Sequence, residues 1–266
     1  MTLLTRTGAV MARRQVLWTL VVRDLKVRYS RSVLGYLWTI LDPLAMAGVY
    51  FFVFTFIFKA RKIGEQPYIL FLIAGLLAWQ WFSGSLTDTS RALLAEAKLV
   101  RSTNLPRELW VVRVVIAKGI EFLLSLPVLA GFTLFYIVKG QTHVSWGLLF
   151  IPVGFVLQFF LLVGIGLLLA PVTALVTDTQ RVVRIFLRMF FYLTPVIYGV
   201  HAAPKRVRVL LELNPMTGVM ELYRAGLFAR EVNWESVAVG SAVTVLIIAA
   251  GAIVFARLER AVLKEI

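Results

Sequence analysis

Four carboxylates fall within or beside long apolar stretches of this 266-residue chain: Asp42, Glu121, Glu212 and Glu221. A carboxylate at the centre of a membrane-spanning helix costs on the order of 2.5–3.5 kcal/mol, so each needs a partner or a function. Acid–base catalysis would require two of them to converge, and they are scattered over three segments. Asp42 precedes Pro43, where a freed carbonyl and a bend are expected close to one interface. Glu121 can pair with Lys118 one helical turn earlier. Glu212 and Glu221 flank Asn214-Pro215 and are the better candidates for a functional role. Other chemistry is narrowly bounded. The histidines, His143 and His201, share no metal motif, and the absence of Cys excludes thiolate sites. No Gly-Lys dipeptide occurs, which excludes the phosphate cradle GxxxxGK[ST]. Neither DxD nor DDxxD occurs, so the metal-binding acidic clusters of a sugar- or phosphate-transferring enzyme are absent. The chain is therefore expected to hold no catalytic residue, metal or cofactor of its own.

The elements that carry these residues follow from composition. Apolar residues make up 60% of the chain and charged residues 16%, with a mean hydropathy of +0.85. Soluble domains have roughly 45–50% and 25%. The net charge of +14 would ordinarily suggest nucleic acid, but the basic residues sit in short clusters between apolar runs. Membrane topology and anionic lipid account for them better. Runs of about 20 apolar residues mark spans. Six are predicted: 33–58, 67–87, 111–138, 144–177, 182–203 and 236–256. The uncharged run 144–177 is too long for one straight crossing, and Pro152 and Pro171 predict a tilt or bend near its ends. Arg184 and Arg188 in the fifth span can snorkel from one end. Residues 204–228 are too polar for lipid and are expected as a re-entrant pair of short helices turning near Asn214-Pro215, shielded by protein or lining a wet cavity. With the N-terminus inside, nineteen of the 28 Lys and Arg lie in inner segments, which places both termini in the cytoplasm. The fold class expected is all-α integral membrane, one domain over 1–266.

Two further segments are informative. Over 13–30, Trp18, Val21, Val22, Leu25 and Tyr29 share one helical face while Arg23 and Lys26 point away. Such a helix lies in the headgroup plane, apolar side toward the acyl chains. Its basic rim of Arg23, Lys26, Arg28 and Arg31 is turned toward lipid phosphate. The connector 90–107 is rich in helix formers and ends at Thr103-Asn104-Leu105-Pro106. Its stripe of Leu93, Ala97 and Val100 suits docking into a groove on a partner.

The order of these features resembles a known family. RDLKVRYSRSVLGYLWTILDPL at 23–44, a helical loop ending in NLPREL at 104–109, TPVIY at 194–198 and NPMTG at 214–218 are similar to the permease subunits of type-2 ABC exporters. Within them, the branch that moves lipid-linked polysaccharides (O-antigen, capsule, teichoic acid or galactan precursors) fits best, over essentially the whole chain. The resemblance implies that 13–30 is an interface helix beside an ATPase, and that Arg23, Lys26, Arg28 and Arg31 are where the pyrophosphate of a lipid-linked substrate lands. It implies that the connector carries a cytoplasmic coupling helix, with Glu96, Lys98, Leu99, Arg101, Asn104, Leu105 and Pro106 at the groove of the nucleotide-binding subunit. Many relatives have an aromatic residue where Leu105 precedes Pro106. It implies a gate over 204–228, with Glu212, Asn214, Pro215 and Glu221. It also implies two permeases with two ATPases, ATP and Mg being held by the partner subunit. An aromatic path for sugar rings would involve Tyr50, Phe54, Trp79, Phe82, Phe190 and Tyr198.

The function expected is transport of a lipid-linked polysaccharide across the cytoplasmic membrane by a homodimer, driven by ATP hydrolysis in a separate subunit. An exporter of drugs or small lipids on the same scaffold is the alternative. A membrane-embedded glycosyl- or phosphotransferase lies further off, for want of acidic clusters.

Overall fold

In a computed structural model of the chain, the residues described are 8, 11–30, 32–58, 64–143, 145–228 and 231–265. Among them every regular element is helical. Helix α1 (Arg14–Tyr29) precedes a turn in which Gly35 adopts φ 50°, left-handed backbone that glycine takes without strain, and the Ser32 hydroxyl accepts from the Gly35 N–H at 3.1 Å. The first long helix, Gly35–Ile57, is built from a 3-10 turn, α2 (Trp38–Phe52) and a π turn (Val53–Ile57). Its buried residues, Thr39, Pro43 and Ala47, form one stripe, with Tyr50 and Phe54 partly buried beyond it. Helix α3 (Tyr68–Ser90) is the axis of the bundle and is buried along most of its length. The connector follows as α4 (Ala92–Ala95) and α5 (Ala97–Ser102), then α6 (Glu108–Val138), α7 (Phe150–Leu175), α8 (Thr179–Leu193), α9 (Lys205–Glu212), α10 (Pro215–Arg224) and α11 (Trp234–Glu265).

Five helices are long and apolar enough to cross a membrane: Gly35–Ile57, Tyr68–Ser90, Glu108–Val138, Trp146–Leu175 and Trp234–Glu265. They correspond to five of the six predicted spans. The other, 182–203, differs: its helix stops at Leu193, and α8 is about 22 Å long, short of the roughly 30 Å hydrocarbon core. Pro195 is the reason. The residue before a proline avoids helical backbone, and Thr194 is extended at φ −105°, ψ 137°. The chain then runs through a turn held by Arg224, which donates to the carbonyls of Pro195 and Val196, both at 2.7 Å. Pro152 falls in the first turn of α7, where no N–H partner is lost, and Pro171 is carried inside it near its far end.

The helix ends sort into two groups. At one end, Leu93 and Val100 of the connector pack with Trp110 and Val111 of α6, Ala170 and Ala174 of α7, and Phe255 and Val262 of α11. At the opposite end, the Ser145 N–H donates to the Gly226 carbonyl at 3.2 Å, and the rings of Phe150 and Trp234 meet at 5.2 Å. Helices α7 and α11 run together between these ends. Their backbones meet at Gly164 and Gly251, where a Cβ on Gly251 would fall on the Gly164 carbonyl oxygen.

Helix α1 is rotated from the face its sequence suggests. Leu17, Val21 and Leu25 pack on Ile116, Ala117 and Ile120 of α6, whereas Trp18 is 58% exposed. The apolar stripe is satisfied by a neighbouring helix of the same chain instead of acyl chains.

Candidate functional site

Aromatic residues at helical spacing converge where α2, α3 and α8 meet. Tyr50, Phe54 and Phe58 are four apart; so are Phe186 and Phe190; Trp79 and Phe82 are three apart, so each set lies along one face. Folding joins the sets into one row. Ring centroids are separated by 5.8 Å from Phe58 to Phe54, 6.5 Å to Tyr50, 5.9 Å to Phe191, 5.3 Å to Trp79, 5.3 Å to Phe82, 5.8 Å to Phe190 and 4.8 Å to Phe186. These separations are those of stacked and edge-to-face pairs. Three hollows open along the row. The largest, about 510 Å³, is lined by Tyr50, Trp79, Phe191 and Tyr192 together with the polar Asp42, Gln80, Ser83 and Arg188. Phe82 and Phe190 line a wholly apolar hollow of about 430 Å³, and Phe54 and Tyr198 one of about 360 Å³. The Tyr198 hydroxyl donates to the Tyr192 carbonyl at 2.8 Å. Five of the six aromatics singled out in the sequence thus stand in the row, Tyr198 shares only the hollow beside Phe54, and Phe191 and Tyr192 are added.

At the connector end, charges from three segments interlock. Arg113 of α6, only 4% exposed, donates to Asp24 of α1 at 3.1 Å and to Glu96 between α4 and α5 at 3.3 Å. Arg23 donates to Asp24 at 3.2 Å and also to Glu96. Glu96, at φ −119°, ψ 25°, divides the connector into its two short helices. A second group lies one to two turns further along α1. Arg28 donates to Asp88 of α3 at 2.8 Å and approaches Glu121 of α6 at 3.4 Å. Lys118 reaches Glu121 at 2.8 Å, the pairing that the sequence spacing suggested. Burial alone would lower the Arg28 guanidinium, yet Glu121 and Asp88 hold it above its ordinary value. Burial, with Glu121 beside it, pushes the Tyr29 phenol up. Two of the four rim cations, Arg23 and Arg28, are therefore committed to carboxylates of the chain itself. Lys26 is exposed, and Arg31 lies outside the described residues.

The connector's apolar stripe is likewise occupied. Leu93 and Val100 are each 1% exposed, buried against the chain's own helices. The face left open carries Lys98, Leu99, Arg101 and Asn104, with Leu105 and Pro106 half-buried behind it.

Comparison with known proteins places this architecture. The ABC-2 type transporter family matches residues 15–228, most of the chain. The chain belongs to that family. This ABC-2 transporter chain is 31% identical over 217 residues to the O-antigen export system permease protein RfbA of Klebsiella pneumoniae, covering 82% of each protein. It is 30% identical over 245 residues to the protein of the same name from Myxococcus xanthus, covering 91% of this chain and 92% of that one. It is 26% identical over 206 residues to the polysialic acid transport protein KpsM of Escherichia coli, covering 77% and 78%.

The four residues 212, 214, 215 and 221 of the ABC-2 chain do not form one constellation. Asn214 caps α10, its Oδ1 accepting from the Met216 N–H at 2.9 Å, while its Nδ2 donates to the Leu193 carbonyl at 3.1 Å and to the Thr194 hydroxyl at 2.9 Å. Pro215 takes the first helical position, where proline is favoured. Glu212 ends α9 and is half-buried. Glu221 accepts from the Asn233 N–H at 3.4 Å and lines a small recess with Glu65 and Arg224. Sequence reasoning missed the set of Arg113, Asp24 and Glu96, and Asp88 as the partner of Arg28. The available signal was an Arg deep in one apolar helix and acids in two other segments, which burial forces to pair.

Proposed function

We propose that this chain is the permease subunit of an ATP-driven exporter that moves a lipid-linked polysaccharide across the cytoplasmic membrane. The observation that carries the reading is the row of rings from Phe58 to Phe186 with hollows opening along it. A flat hydrophobic ring stacks on a sugar face without demanding one hydrogen-bond pattern, which suits a chain sliding past. The names of the relatives, O-antigen and polysialic acid transport proteins, point to the same cargo class.

Two copies work with two ATPase subunits, which hold ATP and Mg. The exposed connector face of Lys98, Leu99, Arg101 and Asn104 seats the ATPase. Movement there reaches the spans through Glu96, because Arg113 and Arg23 tie it to α6 and α1. The chain crosses six times with both termini cytoplasmic. What supports this is that the connector and the end of α11 share one end of the bundle, so the stretch between α7 and α11 must make one net crossing without a full-length helix. Helices α9 and α10 then form a gate at the outer side.

The test is deletion of the gene in its own host, complemented with wild-type or variant chains. Deletion abolishes surface glycan and leaves lipid-linked glycan inside the cell. The double variant Trp79→Ala, Tyr50→Ala, present in the membrane at the wild-type level, restores severalfold less surface glycan than wild type. Normal surface glycan in the deletion strain sinks the reading.

A further inference from the structure

At the connector end Arg23, Arg28, Arg113 and Lys118 are matched to carboxylates; the cations of α8 are not. Arg181, Arg184 and Arg188 stand three and then four residues apart, which stacks them on one helix face about 4.5 and 6 Å apart along the axis. All three are exposed, and among the described residues none forms an ion pair or a side-chain hydrogen bond. Arg188 lines the 510 Å³ cleft, nine residues and about 14 Å along the axis from Thr179. An unpaired guanidinium lining a cleft keeps its donors available to an anionic ligand.

The chemistry of the cleft narrows the anion. The guanidinium fork matches phosphate oxygens, and two such residues one turn apart match the two charges of a diphosphate diester. Tyr50 and Trp79 supply faces for a sugar ring, while Gln80, Ser83 and Asp42 supply donors and acceptors for hydroxyls. One class of molecule uses all of these: a lipid with a diphosphate linked directly to a sugar. We propose that Arg188, with Arg184 one turn before it, is the diphosphate-binding site of the cleft and holds the linkage while the first sugar stacks on Trp79 and Tyr50. Arg181 extends the stripe toward the start of α8 and guides the anion in. The inference rests on the export reading above and names where its cargo is gripped: in the cleft, since Arg23 and Arg28 of the surface helix already hold carboxylates.

The experiment places the full-length chain in phosphatidylcholine nanodiscs and measures binding of undecaprenyl diphosphate by native mass spectrometry. Undecaprenol gives the contribution of the tail alone, and phosphatidylglycerol that of any anionic headgroup. Wild type binds the diphosphate, and neither undecaprenol nor an equal amount of phosphatidylglycerol displaces it. Arg184→Ala with Arg188→Ala weakens binding by about tenfold or more, Arg188→Lys restores part of it, and the distant Lys264→Ala has no effect. Wild-type affinity in the double variant overturns the assignment. Equal binding of phosphatidylglycerol also overturns it, in favour of a general lipid contact. The surface-glycan assay keeps the two readings apart. If export depends on the chain while the arginine variants bind normally, only this inference falls.

Discussion

Arg113 shows how much one buried charge can organise. Its guanidinium is the fork on which an acid from α1 and an acid from the connector meet. Removing one member of a buried ion group leaves the others uncompensated, which typically costs 3–5 kcal/mol. Asp24 and Glu96 retain Arg23 and some solvent, at 19% and 21% exposure, so Arg113→Ala is expected to cost roughly 3 kcal/mol, the low end. Thermal unfolding of the purified chain in detergent checks it. Arg113→Lys recovers only part of the loss, because a point charge cannot serve two carboxylates as a fork does. The same distinction between cations with and without partners separates Arg23 and Arg28 from Arg188, and it is invisible in a count of basic residues.

Among the elements, the spans read directly from the sequence because long uncharged runs have no other stable environment. Five of the six were legible in that way. Over 182–203 the end of the helix at Leu193 was not legible, because hydropathy registers apolar content and not the backbone break before Pro195. Helix α1 was legible as amphipathic, but not which apolar surface would cover it. Its stripe faces α6 because the residues there, Ile116, Ala117 and Ile120, offer a packing surface flanked by Arg113 and Glu121, which match Asp24 and Arg28. Packing between α7 and α11 carries a prediction of its own. Gly251→Val forces a side chain onto the Gly164 carbonyl and separates the two helices. A loss of about 1–3 kcal/mol is expected, measured as a lower unfolding temperature and a reduced yield of folded chain.

For the molecule as a whole, the decisive feature is that the N-terminal helix, the connector and the end of the last helix gather at one end. The chain contains no cysteine, so single cysteines can be placed without a background. A membrane-impermeant maleimide added to sealed inside-out vesicles is expected to label Lys98→Cys and Lys264→Cys, and His143→Cys only after permeabilisation. Labelling of Lys98→Cys and Lys264→Cys from opposite sides would contradict the six-crossing arrangement.

Sequence by itself determined that this is a helical membrane protein without a nucleotide-binding loop, and which aromatics and connector residues to watch. Those properties depend on composition and on order along the chain, which burial in lipid turns directly into helices. Only the tertiary structure decided which charges cancel, which apolar stripes are already covered, and that rings from three helices join in one row. Each of these is set by distances between segments far apart in sequence, and such distances exist only once the helices have packed.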